Sequence, residues 1–159
     1  MHYWRQESPH GRVTVVMSAR GIRAIGLPGD DLSEVVAGAT PEKDEKIARA
    51  LDDFFEGRSP RLTVPLDLEG VDGFRRTVLE TLARDVGWGE TVSYGELAAM
   101  AGRPGAARAV GTTMANNPLP FVIPCHRVIA AGGKIGGYGG GRNAVELKRK
   151  LLAREGVYL

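Results

Sequence analysis

Apolar positions recur at two spacings, and the change from one to the other divides the chain. Near the N-terminus they form short β-branched blocks. Tyr3 to Glu7 starts a strand, and Arg12 to Ser18 is a second block bounded by turn residues. Ala19-Arg20-Gly21 turns it back into Ile22 to Leu27, which makes a hairpin ended by Pro28-Gly29-Asp30-Asp31. Thr40 is placed to cap a helix with Pro41 in its first position. Ile47, Leu51, Phe54 and Phe55 follow at helical spacing, and Gly57 stops the run. Leu62, Val64 and Leu66 alternate as in a third strand. Residues 1–70 read as a small N-terminal α/β domain without a cluster of catalytic residue types, and Asp67 to Val71 as a linker.

Residues 71–159 are patterned differently, mainly at helical spacing. Asp72 can cap a helix that carries Phe74, Val78, Leu79 and Leu82 on one face, broken by Gly87-Trp88-Gly89. Ser93 followed by Glu96 is a capping box, with Leu97 and Met100 as the core face of a short helix. Gly102-Arg103-Pro104-Gly105 turns the chain into a second helix, Ala106 to Ala115, which Asn116-Asn117-Pro118 ends. Two short helices about a four-residue turn have the form of a helix-turn-helix. Ala106, Ala107, Ala109 and Gly111 are small, and Arg108 is the one long cation among them. That suits close contact with DNA, or alternatively a packed helical hairpin. Phe121-Val122-Ile123 reads as a short buried strand stopped by Pro124. Glycines crowd Gly132 to Gly141. Asn143 can cap a last helix, with Glu146 three residues on and Leu147, Leu151 and Leu152 facing the core.

Composition adds one residue and one asymmetry. Cys125 is the single cysteine in 159 residues, which excludes an internal disulfide and suits a reducing, cytoplasmic setting. It stands at the exit of the expected strand with His126 beside it, so it is either a buried structural thiol or a nucleophile with a base at hand. No apolar run is long enough for a membrane span, and Met1 to His10 lacks the apolar core of a signal peptide. Residues 1–72 carry 9 Lys/Arg against 13 Asp/Glu, whereas residues 73–159 carry 12 against 6. A basic half points to a polyanion partner or to a solvated face.

Pro124-Cys125-His126-Arg127-Val128, preceded by Tyr94-Gly95 and Ala106-Ala107-Arg108-Ala109-Val110-Gly111, closely resembles the O6-alkylguanine-DNA alkyltransferases. Asn117-Pro118 and the ending Lys148, Leu151-Leu152, Glu155-Gly156 belong to the same match, which spans about residues 74–156. The resemblance implies an α+β protein. Its small N-terminal unit would be ribonuclease-H-like, and its mainly helical C-terminal domain would hold a helix-turn-helix for the minor groove. It implies irreversible, single-turnover transfer of an alkyl group from guanine O6, and also from thymine O4, to Cys125 after base flipping. His126 would act as base through a water, Glu155 would orient it, and Asn117 would brace the strand carrying the site. Arg108 would fill the gap left by the flipped base, with Ala106, Ala107 and Ala109 around it. Tyr94 would contact the phosphate or the base. Met114, Pro120 and Tyr138 would line the pocket, the carbonyls of Cys125 and Val128 would read the exocyclic amine, and the Gly139 N–H would approach O6. A monomer acting on double-stranded DNA, without cofactor or metal, follows from the same likeness. The chain departs from the family at Leu79, where tryptophan is common, at Gly87, where proline is common, and by about three extra residues between Gly141 and Lys148. Two rivals are a non-catalytic sensor of alkylated DNA, which would lack the cysteine, and a helix-turn-helix regulator, which would need no thiol. A third, a Cys-His hydrolase, would turn over repeatedly.

Overall fold

β-Branched residues build the centre of the first unit. In the computed structural model, which describes residues 1–138 and 144–159, Val13–Met17 (β2) runs antiparallel to both His2–Gln6 (β1) and Ile22–Gly26 (β3). Thr40–Pro41 (β4) pairs with β1 in parallel, so the sheet order is β3-β2-β1-β4. Between β3 and β4 lies a short helix, Ser33–Ala37 (α1), which has no buried residue and no apolar stripe to announce it. The helix Glu45–Phe55 (α2) buries Ile47, Ala48, Leu51, Phe54 and Phe55. Gln6 ties β1 to α2, because its side-chain amide donates to the Ala48 carbonyl at 3.2 Å and to Asp52 at 2.9 Å.

Two expectations for this unit fail for backbone reasons. Thr40 and Pro41 do not open a helix. Thr40 N–H donates to the Met1 carbonyl and Glu42 N–H to the Tyr3 carbonyl, so the edge pairing uses the donors on either side of the proline. Asp44 caps α2 instead, its carboxylate accepting from Ile47 N–H at 3.1 Å. Residues 62–66 form no strand, because Pro65 has no N–H to give; a single bridge joins Leu66 to Ile22. The turn at Gly21 needs glycine, since a Cβ there would stand 2.4 Å from the Pro65 carbonyl oxygen.

The second unit comprises Gly70–Asn117 and Ile123–Leu159, and the first comprises Met1–Glu69 together with Pro118–Val122. In the second, Gly73–Asp85 (α3) buries Val78, Leu79, Thr81 and Leu82. Asp72 occupies its N-cap position but makes no side-chain cap bond. Val92–Ser93 (β5) leads into Tyr94–Met100 (α4), and Ala107–Ala115 (α5) follows the turn. Both halves of the α4 capping box are formed. Leu97 and Ala98 supply the buried face, whereas Met100, expected in the core, is 43% exposed. Val145–Arg154 (α6) buries Lys148, Leu151 and Leu152, and Leu147 is only half-buried. Asn143, expected as its cap, lies outside the described residues.

Phe121-Val122-Ile123 is not a strand but a turn, with Phe121 at φ +73. All three residues are buried, which is what their apolar run reported; periodicity carries no sign for φ. In the first unit the Phe121 ring meets Phe55 edge-on with centroids 5.0 Å apart, and Ile25 N–H donates to the Pro118 carbonyl at 2.9 Å. Among the described residues no helix is long and apolar enough to cross a membrane, and no group of His, Cys, Asp and Glu could hold a metal ion.

Candidate active site

Pro124 ends the buried turn and Cys125–Arg127 follows as one 3₁₀ turn. Arg127 N–H donates to the Pro124 carbonyl at 2.9 Å, and Val128 N–H to the Cys125 carbonyl. The chain then enters Val128–Ile129 (β6), which pairs in parallel with β5, so the site is fixed beside the start of α4. This tight turn puts the thiol, the imidazole and the guanidinium of three successive residues in the interior.

Cys125 is a free thiol, 7% exposed. Burial pushes its pKa up, because a thiolate loses its hydration there. Asn117 and Tyr138, within hydrogen-bonding reach of the sulfur, pull the other way, as does the Lys148 charge. Asn117 also donates to the Ile123 carbonyl at 2.9 Å, which ties the end of α5 to the residue before Pro124.

His126 Nε2 lies 2.7 Å from Glu155 Oε2, with both side chains fully buried. A carboxylate only accepts, so Nε2 carries the hydrogen and Nδ1 is left as an acceptor. Among the described residues Nδ1 has no partner. Burial lowers the His126 pKa more than Glu155 raises it, so the ring rests neutral. For Glu155, burial favours the protonated acid, but hydrogen bonds from His126 and Arg127 outweigh it and hold the pKa at about 2.

Two residues of this cluster had no role in the sequence reading. Arg127 donates through Nε to Glu155 Oε1 at 2.8 Å, through Nη2 to Oε2 at 3.2 Å and through Nη1 to the Val86 carbonyl at 2.9 Å. Lys148 is fully buried, and its Nζ donates to the Val128 carbonyl at 2.7 Å and the Gly137 carbonyl at 3.0 Å. Burial lowers its pKa to about 8. Its signal was present: Lys148 precedes Leu151 and Leu152 by three and four residues, which puts a lysine on the buried stripe of α6.

The other candidates are distributed as follows. Tyr94, half-buried in the first turn of α4, brings its hydroxyl 3.0 Å from the position a Cβ would take at Gly136, whose φ is +72. Burial raises its pKa, and a hydrogen bond with the Gly137 backbone opposes that. Tyr138 and Val128 are buried and Met114 is half-buried. Pro120 is buried and belongs to the first unit. Arg108 and Ala109 are exposed at the start of α5, where Ala106 and Ala107 are half-buried. Gly139 lies outside the described residues.

Known proteins with the same pattern agree among themselves. The family model described as "6-O-methylguanine DNA methyltransferase, DNA binding domain" matches residues 73–157. A methylated-DNA–protein-cysteine methyltransferase of Mus musculus is 41% identical over 99% of this chain and 82% of its own length. The structure of the Mycobacterium tuberculosis OGT in complex with DNA superposes with a TM-score of 0.86 at 38% identity, covering 98% of this chain and 92% of that one. The O6-methylguanine-DNA methyltransferase of Pyrococcus kodakaraensis has a TM-score of 0.75 at 29% identity, covering 98% and 99%.

Proposed function

Because the chain belongs to the 6-O-methylguanine DNA methyltransferase family, we propose that it repairs alkylated DNA by direct reversal, moving the alkyl group from guanine O6 to Cys125. The observation that carries this reading is the buried Cys125 thiol directly before His126, whose Nε2 is paired with Glu155. The reaction needs a thiolate, and the resting site holds a thiol. His126 Nδ1, the acceptor nitrogen, takes the thiol proton through an intervening water. Glu155 stabilises the imidazolium through its 2.7 Å contact with Nε2. The sulfur then forms a bond to the alkyl carbon as the bond from that carbon to O6 breaks. The electron pair leaves with the guanine, and the proton held by His126 neutralises it. The product thioether is stable and no second cysteine exists to resolve it, so each molecule acts once.

Access to the lesion follows from the second unit. α4, the turn and α5 act as a helix-turn-helix, and the small residues Ala106, Ala107 and Ala109 admit the DNA backbone. A stacked base cannot present its O6 substituent in line with the sulfur, so the nucleotide flips out and Arg108 takes its place. Tyr94 and Met114 contribute to the wall that receives the base. The first unit is ribonuclease-H-like in its three-strand meander with a parallel edge strand, and its role is structural. The protein acts as a monomer, and the thiol calls for a reducing compartment.

The test is mass spectrometry after mixing the protein with duplex containing O6-methylguanine. One methyl group per chain, all of it on Cys125, is expected, and Cys125→Ser should bind the duplex and transfer nothing. Repair of more than one guanine per chain would overturn the reading.

A further inference from the structure

The loop that follows α3 reaches the residues behind the imidazole one after another. Val86 lends its carbonyl to Arg127 Nη1 at 2.9 Å. Two residues on, the Trp88 ring faces Arg154, whose Cζ lies 4.9 Å from the ring centroid. Gly89, with φ +82, runs so close to the end of α6 that a Cβ on it would stand 3.3 Å from the Glu155 carbonyl oxygen. Gly87 N–H donates to Glu90 Oε1 at 2.6 Å and closes the loop on itself. All of these residues belong to the second unit.

Arg127 and Glu155 already have a part in the site, and Arg154 has none. It is the last residue of α6, a place where the helix dipole favours any cation and where the side chain could lie in water. Instead it is half-buried, with its guanidinium over an indole. Burial disfavours its charge, and Glu155 supports it. A guanidinium keeps its proton in such a place, and the aromatic face offsets part of the lost hydration. The outcome is a fixed positive charge at the back of the cluster. Among the described residues the charged groups that act on His126 are Glu155, Arg127 and Arg154, with the Cys125 thiol next to it in the chain. With the ring neutral there are two cations and one anion, and protonation adds a third cation. Both arginines therefore oppose the imidazolium, and Glu155 favours it.

We propose that Arg154, seated on Trp88, is a positioning residue for alkyl transfer: its charge acts on His126 and sets the lower end of the pH range in which the imidazole is free to take the Cys125 proton. The proposal rests on the DNA-repair reading above and adds to it a residue outside the Cys125, His126 and Glu155 set. Arg127 opposes the imidazolium too, but it also holds Glu155 by two hydrogen bonds, so removing it disturbs geometry and charge together. Arg154 can be neutralised with those two bonds in place.

The test is the pH dependence of transfer from an O6-methylguanine duplex, in single turnover with the duplex saturated by protein. The acid-side midpoint reports the protonation of His126. In Arg154→Gln it should move to higher pH, and in Arg154→Lys, which keeps the charge, it should stay near the wild-type value. Trp88→Ala frees the guanidinium to swing into water, where its charge is screened, and should move the midpoint the same way by less. Arg149→Gln, at an α6 arginine paired with Glu146, should leave it in place. A merely structural role for Arg154 would lower the plateau rate and leave the midpoint unmoved, and that result would overturn the proposal. If Arg154→Gln does not fold, the sign of the Trp88→Ala shift decides. The His126 ring, titrated by NMR in the unreacted protein, should show the same upward move in Arg154→Gln. That readout needs no transfer: an unmoved ring titration would overturn the proposal, whereas a moved one without any transfer by wild type would overturn the repair reading alone.

Discussion

Glu155 serves two neighbours at once, and its position gives the site a definite response to acid. Its carboxylate accepts from His126 Nε2 and from Nε and Nη2 of Arg127, so protonating it disturbs three contacts. His126 titrates below its ordinary 6.5 in the folded protein, chiefly because it is buried. As pH falls through 6.5 the unfolded chain therefore takes up a proton that the folded chain refuses, and stability declines. Glu155 titrates at about 2 against an ordinary 4.5. The stability it confers is complete above 4.5 and is lost as pH falls towards 2. That interval corresponds to roughly 3 kcal/mol. Urea unfolding from pH 7 to pH 2 should show both losses, and Glu155→Gln should flatten the lower one. An unaltered acid limb in that variant would show that other carboxylates carry it.

At the level of single elements, α4 gives the most local test. Glu96 N–H donates to Ser93 Oγ at 3.0 Å, and Ser93 N–H donates to Glu96 Oε1 at 2.9 Å. Ser93→Ala leaves one of these donors without its acceptor and should cost about 1 kcal/mol. For a chain of this size the melting temperature should fall by about 2–4 °C, with Ser93→Thr close to wild type. A fall below one degree in calorimetry would mean that tertiary packing, not the cap, holds α4. This cap was legible in the sequence because both partners lie within four residues. The β2–β3 hairpin was legible for the same reason. β4 was not, since whether Thr40 and Pro41 are extended depends on β1, near the other end of that unit's chain. Phe121 was legible as buried but not as a turn. In the site, Cys125 and His126 announced themselves by adjacency. Arg127 did not, because its partners, Glu155 and Val86, lie 28 and 41 residues away.

Across the whole molecule, the change of charge between the halves was visible at once, whereas the path of the chain was not. A boundary near residue 70 is what composition suggests, yet Pro118–Val122 belongs with Met1–Glu69. Leu119 and Phe121, from that short return, are fully buried members of the first unit. The polypeptide therefore passes between the units three times, after Glu69, after Asn117 and after Val122. A cut after Glu69 opens one of these passages and leaves the other two. Pieces 1–69 and 70–159, made together, should co-elute on size exclusion and retain alkyl transfer, because the larger piece carries side chains that complete the core of the smaller. Piece 70–159 made alone should be poorly soluble, with Leu119 and Phe121 uncovered. Separate elution of the co-expressed pieces would show that five residues are too few to join them. Transplanted onto another N-terminal partner, the second half would carry Leu119 and Phe121 with it and would need a new receptor for both, so a chimaera joined at residue 70 alone would leave two large apolar side chains exposed.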